Sequence, residues 1–250
     1  MVRLSVCIIT KNEEHSIGAC LESIAWADEI VIVDSGSTDG TEEICRRFTD
    51  RFFLSDWSGF GPQKNKALAM AEGEWVLSID ADERVSAELR EEIEKAIANP
   101  RGRAAFRMPR SSSYVGKFMR HSGWRPDHVT RLFGRDRAFF SDDLVHERLI
   151  VKGDVGTLSH PLIHESFKTL EEVLEKINNY SSAGARMLFD EGREASLWTA
   201  LSHGFWSFFS TFFLRAGFLD GREGFMLALS NGEGAYYRYL KLMLLKERRE

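Results

Sequence analysis

Cysteine is scarce in this chain. Cys7, Cys20 and Cys45 are odd in number, lie in apolar or helical contexts and show no C-x-x-C spacing. Such a set argues against a disulfide framework and predicts reduced, buried thiols in a cytosolic protein. Long apolar runs are scarce too. A single Arg3 precedes a segment already strand-like at Val6. Without a long apolar stretch there, no signal peptide is expected. Positive charge is not in excess: 33 Lys and Arg against 38 Asp and Glu give a net charge of −5. The chain as a whole is therefore no nucleic-acid binder by charge. Internal repeats and low-complexity segments are absent.

What is present is ordinary in amount and uneven in placement. With 43% apolar and 28% charged residues, 250 positions suffice for one α/β domain, or one domain plus a helical appendage. Leu4–Ile9 and Glu29–Val33 are continuous apolar runs, as in strands covered on both faces. Between and after them the pattern predicts helices over 16–25 and 41–48, a short strand near 51–54 and a helix over 63–71. Gly59-Phe-Gly-Pro62 reads as a loop before that helix. Trp75–Ile79 is a further strand, and 86–99 is a charged helix stopped by Pro100. Strand alternating with helix at this spacing predicts βαβ units and a mostly parallel sheet flanked by helices. Residues 101–164 are mixed and strand-rich, and 170–191 forms a helix with Leu170, Val173, Leu174, Ile177 and Tyr180 on one face. The expected organisation is a domain over 1–194, made of a 1–100 half and a 101–194 half, with a helical, aromatic-rich extension over 195–250.

Ligands of such sheets sit beyond the carboxyl ends of the strands. Three polar clusters fall there: Thr10–Glu13, Asp34–Asp39 and Asp80-Ala-Asp82. The last carries two carboxylates one residue apart where a buried strand spills into a loop. That suits a divalent cation held against a diphosphate, since Mg2+ or Mn2+ takes oxygen ligands from one or two carboxylates plus phosphates. A D-x-D pair alone arises by chance about once in a chain of this size; its neighbours give it meaning.

The extension differs in character. Residues 196–250 hold seven Lys or Arg against five acids, a balance of +2 that leaves −7 on residues 1–195. Ala195–Leu214 carries no formal charge, yet Ser196, Thr199, His203, Ser207 and Ser210 recur at helical spacing. The segment is too polar to read as a spanning helix. It reads as an interfacial helix with Trp198 and Trp206 at headgroup depth. Tyr236–Arg249 repeats the theme with Arg238, Lys241, Lys246, Arg248 and Arg249, as for an anionic surface such as a membrane. Core helices or a dimer interface are the alternative.

Taken together, Val6-Cys-Ile-Ile-Thr-Lys-Asn-Glu13, Ile32-Val-Asp-Ser-Gly-Ser-Thr-Asp-Gly40, Gln63-Lys-Asn-Lys-Ala67 and Asp80-Ala-Asp82 resemble the consecutive motifs of family 2 inverting glycosyltransferases with the GT-A fold. Gly123-Trp-Arg-Pro-Asp127, Arg131-Leu-Phe133, Val145-His-Glu147 and Ile163-His-Glu-Ser-Phe167 resemble a subgroup of bacterial envelope sugar transferases, among them lipopolysaccharide inner-core β-1,4-glucosyltransferases that add glucose to heptose. The resemblance implies a UDP-sugar donor, a membrane-borne glycolipid or lipopolysaccharide-core acceptor, and a site in the cytoplasm at the inner face of the cell membrane.

By the same resemblance, Thr10 and Glu13 lie along the nucleoside and Asp34 accepts hydrogen bonds from the base. Asp39 and Lys64 border the base and diphosphate. Asp82 contacts Mg2+ or Mn2+ with Asp80 nearer the ribose or orienting the loop, and His164 completes the metal site, with His160 as a rival. Glu147 is the base that takes the acceptor proton, with Asp143 and Asp142 as rivals. Arg131 and His146 touch the acceptor. Trp124 either stacks on a sugar ring or belongs to the core. Two other classes stay in view. A sugar-nucleotide pyrophosphorylase would want a glycine-rich basic loop after the first strand, which Thr10-Lys-Asn-Glu13 is not. A non-catalytic nucleotide- or membrane-binding module would not need the acidic pair.

Overall fold

The computed structural model describes residues 3–141 and 148–247. The chain runs through β1 (Leu4–Thr10), α1 (Ile17–Ile24), β2 (Glu29–Asp34), α2 (Thr41–Cys45), β3 (Phe52–Leu54), α3 (Phe60–Met70) and β4 (Trp75–Ser78). There follow β5 (Glu83–Arg84), α4 (Ala87–Ala98), β6 (Ala105–Tyr114), β7 (Lys117–Phe118), β8 (His128–Gly134), β9 (Ala138–Phe140), β10 (Leu149–Val151), β11 (Val155–Thr157) and β12 (Leu162–Phe167). Three helices close the chain: α5 (Leu170–Asp190), α6 (Leu197–Phe209) and α7 (Gly221–Glu247). Two compact units result, residues 1–110 with 127–164, and residues 111–126 with 165–250.

The first unit is an α/β sheet in the strand order β3-β2-β1-β4-β8-β6-β12-β5. Its first four strands are parallel, and β8 and β6 join antiparallel. Every residue of β2 is buried, as the continuous apolar run requires of a strand covered on both faces. One face is filled by Ile8, Ile17, Leu21, Ile32, Leu77 and their neighbours, the other by Val31, Val33, Ala67, Val76 and Phe133. The β1–β2 register is pinned at both ends. Ser5 opposes Glu29 and Thr10 opposes Asp34, and each pair is joined side chain to side chain. Glu29, though buried, also accepts from the Glu72 amide at 2.9 Å and faces Arg51 Nε at 3.0 Å.

All three cysteines are free and buried, as their spacing predicts. Burial pushes the thiols of Cys7 and Cys45 up to about 12, so neither supplies a thiolate near neutral pH. One helix starts earlier than its sequence suggests. Phe60-Gly-Pro62 lies in the first turn of α3, with Gly59 as its N-cap, rather than in a loop, because a first-turn proline gives up an N–H that has no helical partner there anyway.

The second unit packs α7 against both α5 and α6. Tyr114, Met119, Val173 and Leu227 form its core, and the Tyr114 hydroxyl lies 2.9 Å from Ser230 Oγ. Asp220 accepts from the amides of Arg120 (3.1 Å) and His121 (2.9 Å), tying that loop to the start of α7. The expected boundary at 194 falls inside this unit, since α5 belongs with α7. The glycine-rich Ser230-Asn-Gly-Glu-Gly234 carries no helical signal, yet α7 runs straight through it. Tertiary packing overrides propensity there. A Cβ on Gly232 would stand 3.1 Å from the Gly204 carbonyl oxygen, and one on Gly204 3.2 Å from that of Gly232, so a larger residue at either position would press the two helices apart by a few tenths of an ångström. The uncharged stretch is α6 followed by one π-helical turn, Ser210–Leu214. Among the described residues no helix is long and apolar enough to cross a membrane.

Ile8, fully buried in the central β1, tests this core. Ile8→Ala should cost about 2–5 kcal/mol, read as a lower urea midpoint with an unchanged m-value; a loss below about 1 kcal/mol would place the core elsewhere.

Candidate active site

Register brings the first two polar clusters together. Thr10 and Asp34 are cross-strand partners at the carboxyl ends of β1 and β2. The Asp34 carboxylate is fully engaged: Oδ2 accepts from Thr10 Oγ1 (2.8 Å) and Ser37 Oγ (2.5 Å), Oδ1 from the amides of Gly36 (2.9 Å) and Ser37 (2.7 Å). Those four bonds use the four lone-pair positions of a carboxylate. Asp34 therefore shapes the Ser35–Thr38 loop, and a ligand donor would have to displace one of its present partners. Asp39 does similar work just before α2. Its Oδ1 accepts from Thr41 Oγ1 at 2.6 Å, while Oδ2 accepts from the Glu14 amide at 3.2 Å. Burial raises its carboxyl pKa, but these bonds outweigh it and hold the group below the usual range. The Glu13 amide donates to Thr41 Oγ1 at 2.8 Å, so the segment after β1 is held to the start of α2.

The third cluster follows β4. Antiparallel β8 sets Leu132 opposite Leu77, which brings the preceding residue, Arg131, to the carboxyl end of β4. Its guanidinium donates to Asp80 Oδ2 and, at 2.7 Å, to Glu83 Oε1. On the other side Lys64 Nζ, buried in α3, stands 3.1 Å from Asp80 Oδ1. Burial pushes the Asp80 carboxyl up, but Arg131 and Lys64 prevail and hold it well below the usual carboxylate range. Glu83 is fully buried. Burial raises its pKa, Arg131 lowers it and the Asp80 charge raises it again, with a net upward shift. The structure thus places Arg131 as the buried counterion of two carboxylates, not at the surface that an acceptor contact needs.

Asp82 sits in a different setting. Strand β12 pairs antiparallel with β5, setting His164 opposite Glu83. His164 Nε2 comes within 3.1 Å of Asp82 Oδ2. The rival His160 is turned elsewhere, with Nδ1 3.0 Å from Glu92 Oε2 on α4. Among the described residues no group of three or more His, Cys, Asp or Glu side chains could hold a metal ion. The Asp82–His164 pair alone offers one oxygen and one nitrogen, a donor set that fits Mg2+ or Mn2+ only if substrate phosphates complete the shell.

Glu147, Asp143, Asp142 and His146 lie outside the described residues, between β9 and β10. The flanks of that segment are fixed: the Ser141 amide donates to the Arg148 carbonyl at 2.9 Å, and the Arg148 amide to Ser141 Oγ at 2.9 Å. Asn65 holds β9 to α3 by donating to the Phe140 carbonyl (2.8 Å) and accepting from its amide (2.9 Å). Lys64, the preceding residue, stands over the Phe140 ring at 5.5 Å. Sequence reasoning assigns nothing to Asn65 or Glu83. Glu83 carries a signal, an acid directly after the D-x-D pair in a segment returning to the core; Asn65 carries none. In the helical unit Trp124 is half-buried, edge-to-face with Tyr114 at 6.2 Å between centroids, and packs on that unit's core.

Comparison with known proteins identifies the family. The glycosyl transferase family 2 profile matches residues 5–149, and the chain belongs to that family. It is a glycosyltransferase with a GT-A sheet and a C-terminal helical part. An "uncharacterized glycosyltransferase" of Rickettsia felis is 31% identical, with 99% of this chain and 90% of that protein covered. The "lipopolysaccharide core biosynthesis glycosyltransferase LpsC" of Rhizobium meliloti is 31% identical, with 98% of this chain and 92% of that protein covered. The crystal structure of Staphylococcus aureus TarS 1–349 with UDP-GlcNAc superposes at a TM-score of 0.49 with 16% identity. It covers 98% of this chain and 92% of that one, a likeness too low to assign a ligand here.

The Asp80 ion pairs predict a pH dependence. A carboxyl with a depressed folded pKa adds stability that is full above its unfolded value, about 3.9, and is lost as pH falls through the folded value. The stability gap between the wild type and Asp80→Asn should be widest at neutral pH and shrink on acidification below pH ~4. A gap that stays constant in urea titrations across that range would contradict the ion-pair assignment.

Proposed function

We propose that the enzyme transfers a hexose, glucose by subgroup resemblance, with inversion from a UDP-sugar to a membrane-borne glycolipid such as the lipopolysaccharide inner-core heptose. The observation that carries this reading is the division of labour within Asp80-Ala-Asp82. Asp80 is already neutralised by Lys64 and Arg131, while Asp82 shares a 3.1 Å contact with His164 only two residues on. A site that merely capped a turn would have no need of a buried lysine and arginine aimed at its first acid. LpsC, a lipopolysaccharide core biosynthesis glycosyltransferase by name, supports the choice of acceptor class.

In this reading Asp82 and His164 hold Mg2+ or Mn2+, which when bound offsets the charge gained by the leaving diphosphate. Thr10, Glu13, Asp34 and Asp39 form the nucleoside-facing wall, with Asp34 keeping that wall rigid through its four accepted bonds. Lys64 and Arg131 fix Asp80 beside the ribose. Lys64 also brings a cationic point charge toward the phosphates. Glu147, with Asp143 as rival, takes the proton from the attacking acceptor hydroxyl. His146 binds the acceptor. Trp124 serves the core.

The C-terminal helices complete the proposal as a contact with the cytoplasmic membrane surface. Trp198 is 81% exposed, Phe205 67% and Leu214 62%. Exposed aromatic and aliphatic side chains on one helical region mark an interaction surface.

Label from UDP-[14C]glucose should appear in a heptose-terminated glycolipid only with Mg2+ or Mn2+ present. Asp82→Ala or His164→Ala should cut the rate at least about a hundredfold, the scale of losing one key electrostatic group. Transfer that survives EDTA or either substitution would remove the metal role. Trp198→Ser with Leu214→Ser should leave the fold intact and shift the protein from the pellet to the supernatant in vesicle sedimentation; unchanged sedimentation would favour a dimer interface.

A further inference from the structure

We propose that the groove among α5, α6 and α7 binds the phosphate of a lipid headgroup, an inference that rests on the membrane-surface reading above. The groove has a volume of about 580 Å³, within the usual range for small-molecule sites. Lys176, Arg215 and Arg238 line it, and no Asp or Glu is among its described lining residues. Such a lining stands out in a chain whose net charge is −5. Several arginines elsewhere are matched by carboxylates, Arg46 with Glu42, Arg90 with Glu94 and Arg110 with Asp127, while Arg107 and Arg125 donate to hydroxyls instead. Among the described residues no carboxylate forms an ion pair with Arg215 or Arg238.

Both arginines are seated by the backbone. A Cβ on Gly184 of α5 would stand 2.8 Å from Arg238 Nε, and one on Gly123 2.7 Å from Arg215 Cδ. Each arm therefore crosses a glycine, where any larger residue would push it aside. Lys176 adds its ammonium 5.5 Å from the Tyr180 ring centroid and 4.7 Å from that of Phe167. Ser207 Oγ donates to the Asn231 carbonyl at 3.1 Å and Asn231 Nδ2 to Thr211 Oγ1 at 3.3 Å, so the neutral polar wall of the groove is bonded within itself and the cationic groups are what it offers a ligand. Planar guanidinium groups match the geometry of a phosphate.

The rim decides the source of that phosphate. Trp206 lines the groove and is 58% exposed, and the adjacent Phe205 is 67% exposed. A free sugar phosphate would leave these rings in water. A lipid whose headgroup phosphate enters the groove covers them with interfacial and acyl groups, the setting that amphipathic aromatic side chains favour.

The test compares sedimentation of the full chain with vesicles of phosphatidylcholine alone and of phosphatidylcholine mixed with phosphatidylglycerol. Arg215→Gln and Arg238→Gln should each weaken binding to the anionic vesicles about fivefold, the scale of one basic residue at an anionic surface. Arg186→Gln removes the same charge from an exposed position on α5 outside the groove and should change binding less than about twofold. Gly184→Ala, which keeps every charge, should weaken binding by displacing Arg238. Circular dichroism confirms that each variant is folded. Equal losses for Arg186→Gln and the groove variants would overturn the site in favour of diffuse attraction. Binding that depends on Trp198 and Leu214 but not on Arg215 or Arg238 would overturn the site and leave the membrane reading standing. No binding by the wild type would overturn both. Thermal stabilisation by inorganic phosphate that Arg238→Gln abolishes, with vesicles of both kinds bound equally, would assign the groove to a free phosphate and overturn the lipid.

Discussion

The site depends on one buried cation. Arg131 lies under the end of β4 and holds Asp80 and Glu83 at once, with Lys64 closing the other side of Asp80. Removing a charge from water is costly, and only good geometry with enough partners offsets that cost. Here the same contacts also fix a loop. The Asp80 amide donates to Glu83 Oε2 at 3.0 Å, so the acid that pairs with Arg131 also folds the chain back on itself. The backbone of Asp80 to Glu83 is thereby set before any substrate arrives, and Asp82 is presented from a turn whose neighbours are already committed. Preorganisation of this kind lets a charged site act without reordering itself during the reaction.

Two layers of polar residues can be told apart around the strand ends. Asp34, Asp39 and Glu83 direct their oxygens to backbone amides, hydroxyls or a buried guanidinium, and their work is structural. Asp82 meets His164 of β12 at 3.1 Å. The residues most often singled out in a motif are thus not equivalent in their surroundings.

Much of this is legible in the sequence. Continuous apolar runs mark the buried strands, the alternation of strand and helix marks the parallel half of the sheet, and the three clusters fall at strand ends as expected. The choice between His160 and His164 is not legible from spacing, since it turns on the pairing of β12 with the two-residue β5. Arg131 stands out in the sequence but reads as an acceptor contact, because a sequence does not reveal that β8 runs antiparallel beside β4 and delivers the side chain inward. Asn65 escapes notice because a side chain that imitates a strand by bonding one residue's amide and carbonyl has no pattern of its own. The helix through Ser230–Gly234 escapes because its glycines serve a helix crossing, not a turn.

The paired side chains on β1 and β2 have a further meaning. Ser5 meets Glu29 at one end of the strand pair and Thr10 meets Asp34 at the other. A slip of one residue would set Ile9 against Asp34 and Leu4 against Glu29, stranding two carboxylates among hydrocarbon and turning every side chain to the wrong face. The paired residues at the two ends of these strands therefore act as a ruler during assembly. A chain that has measured its first two strands correctly has, by the same act, brought its first two polar clusters together.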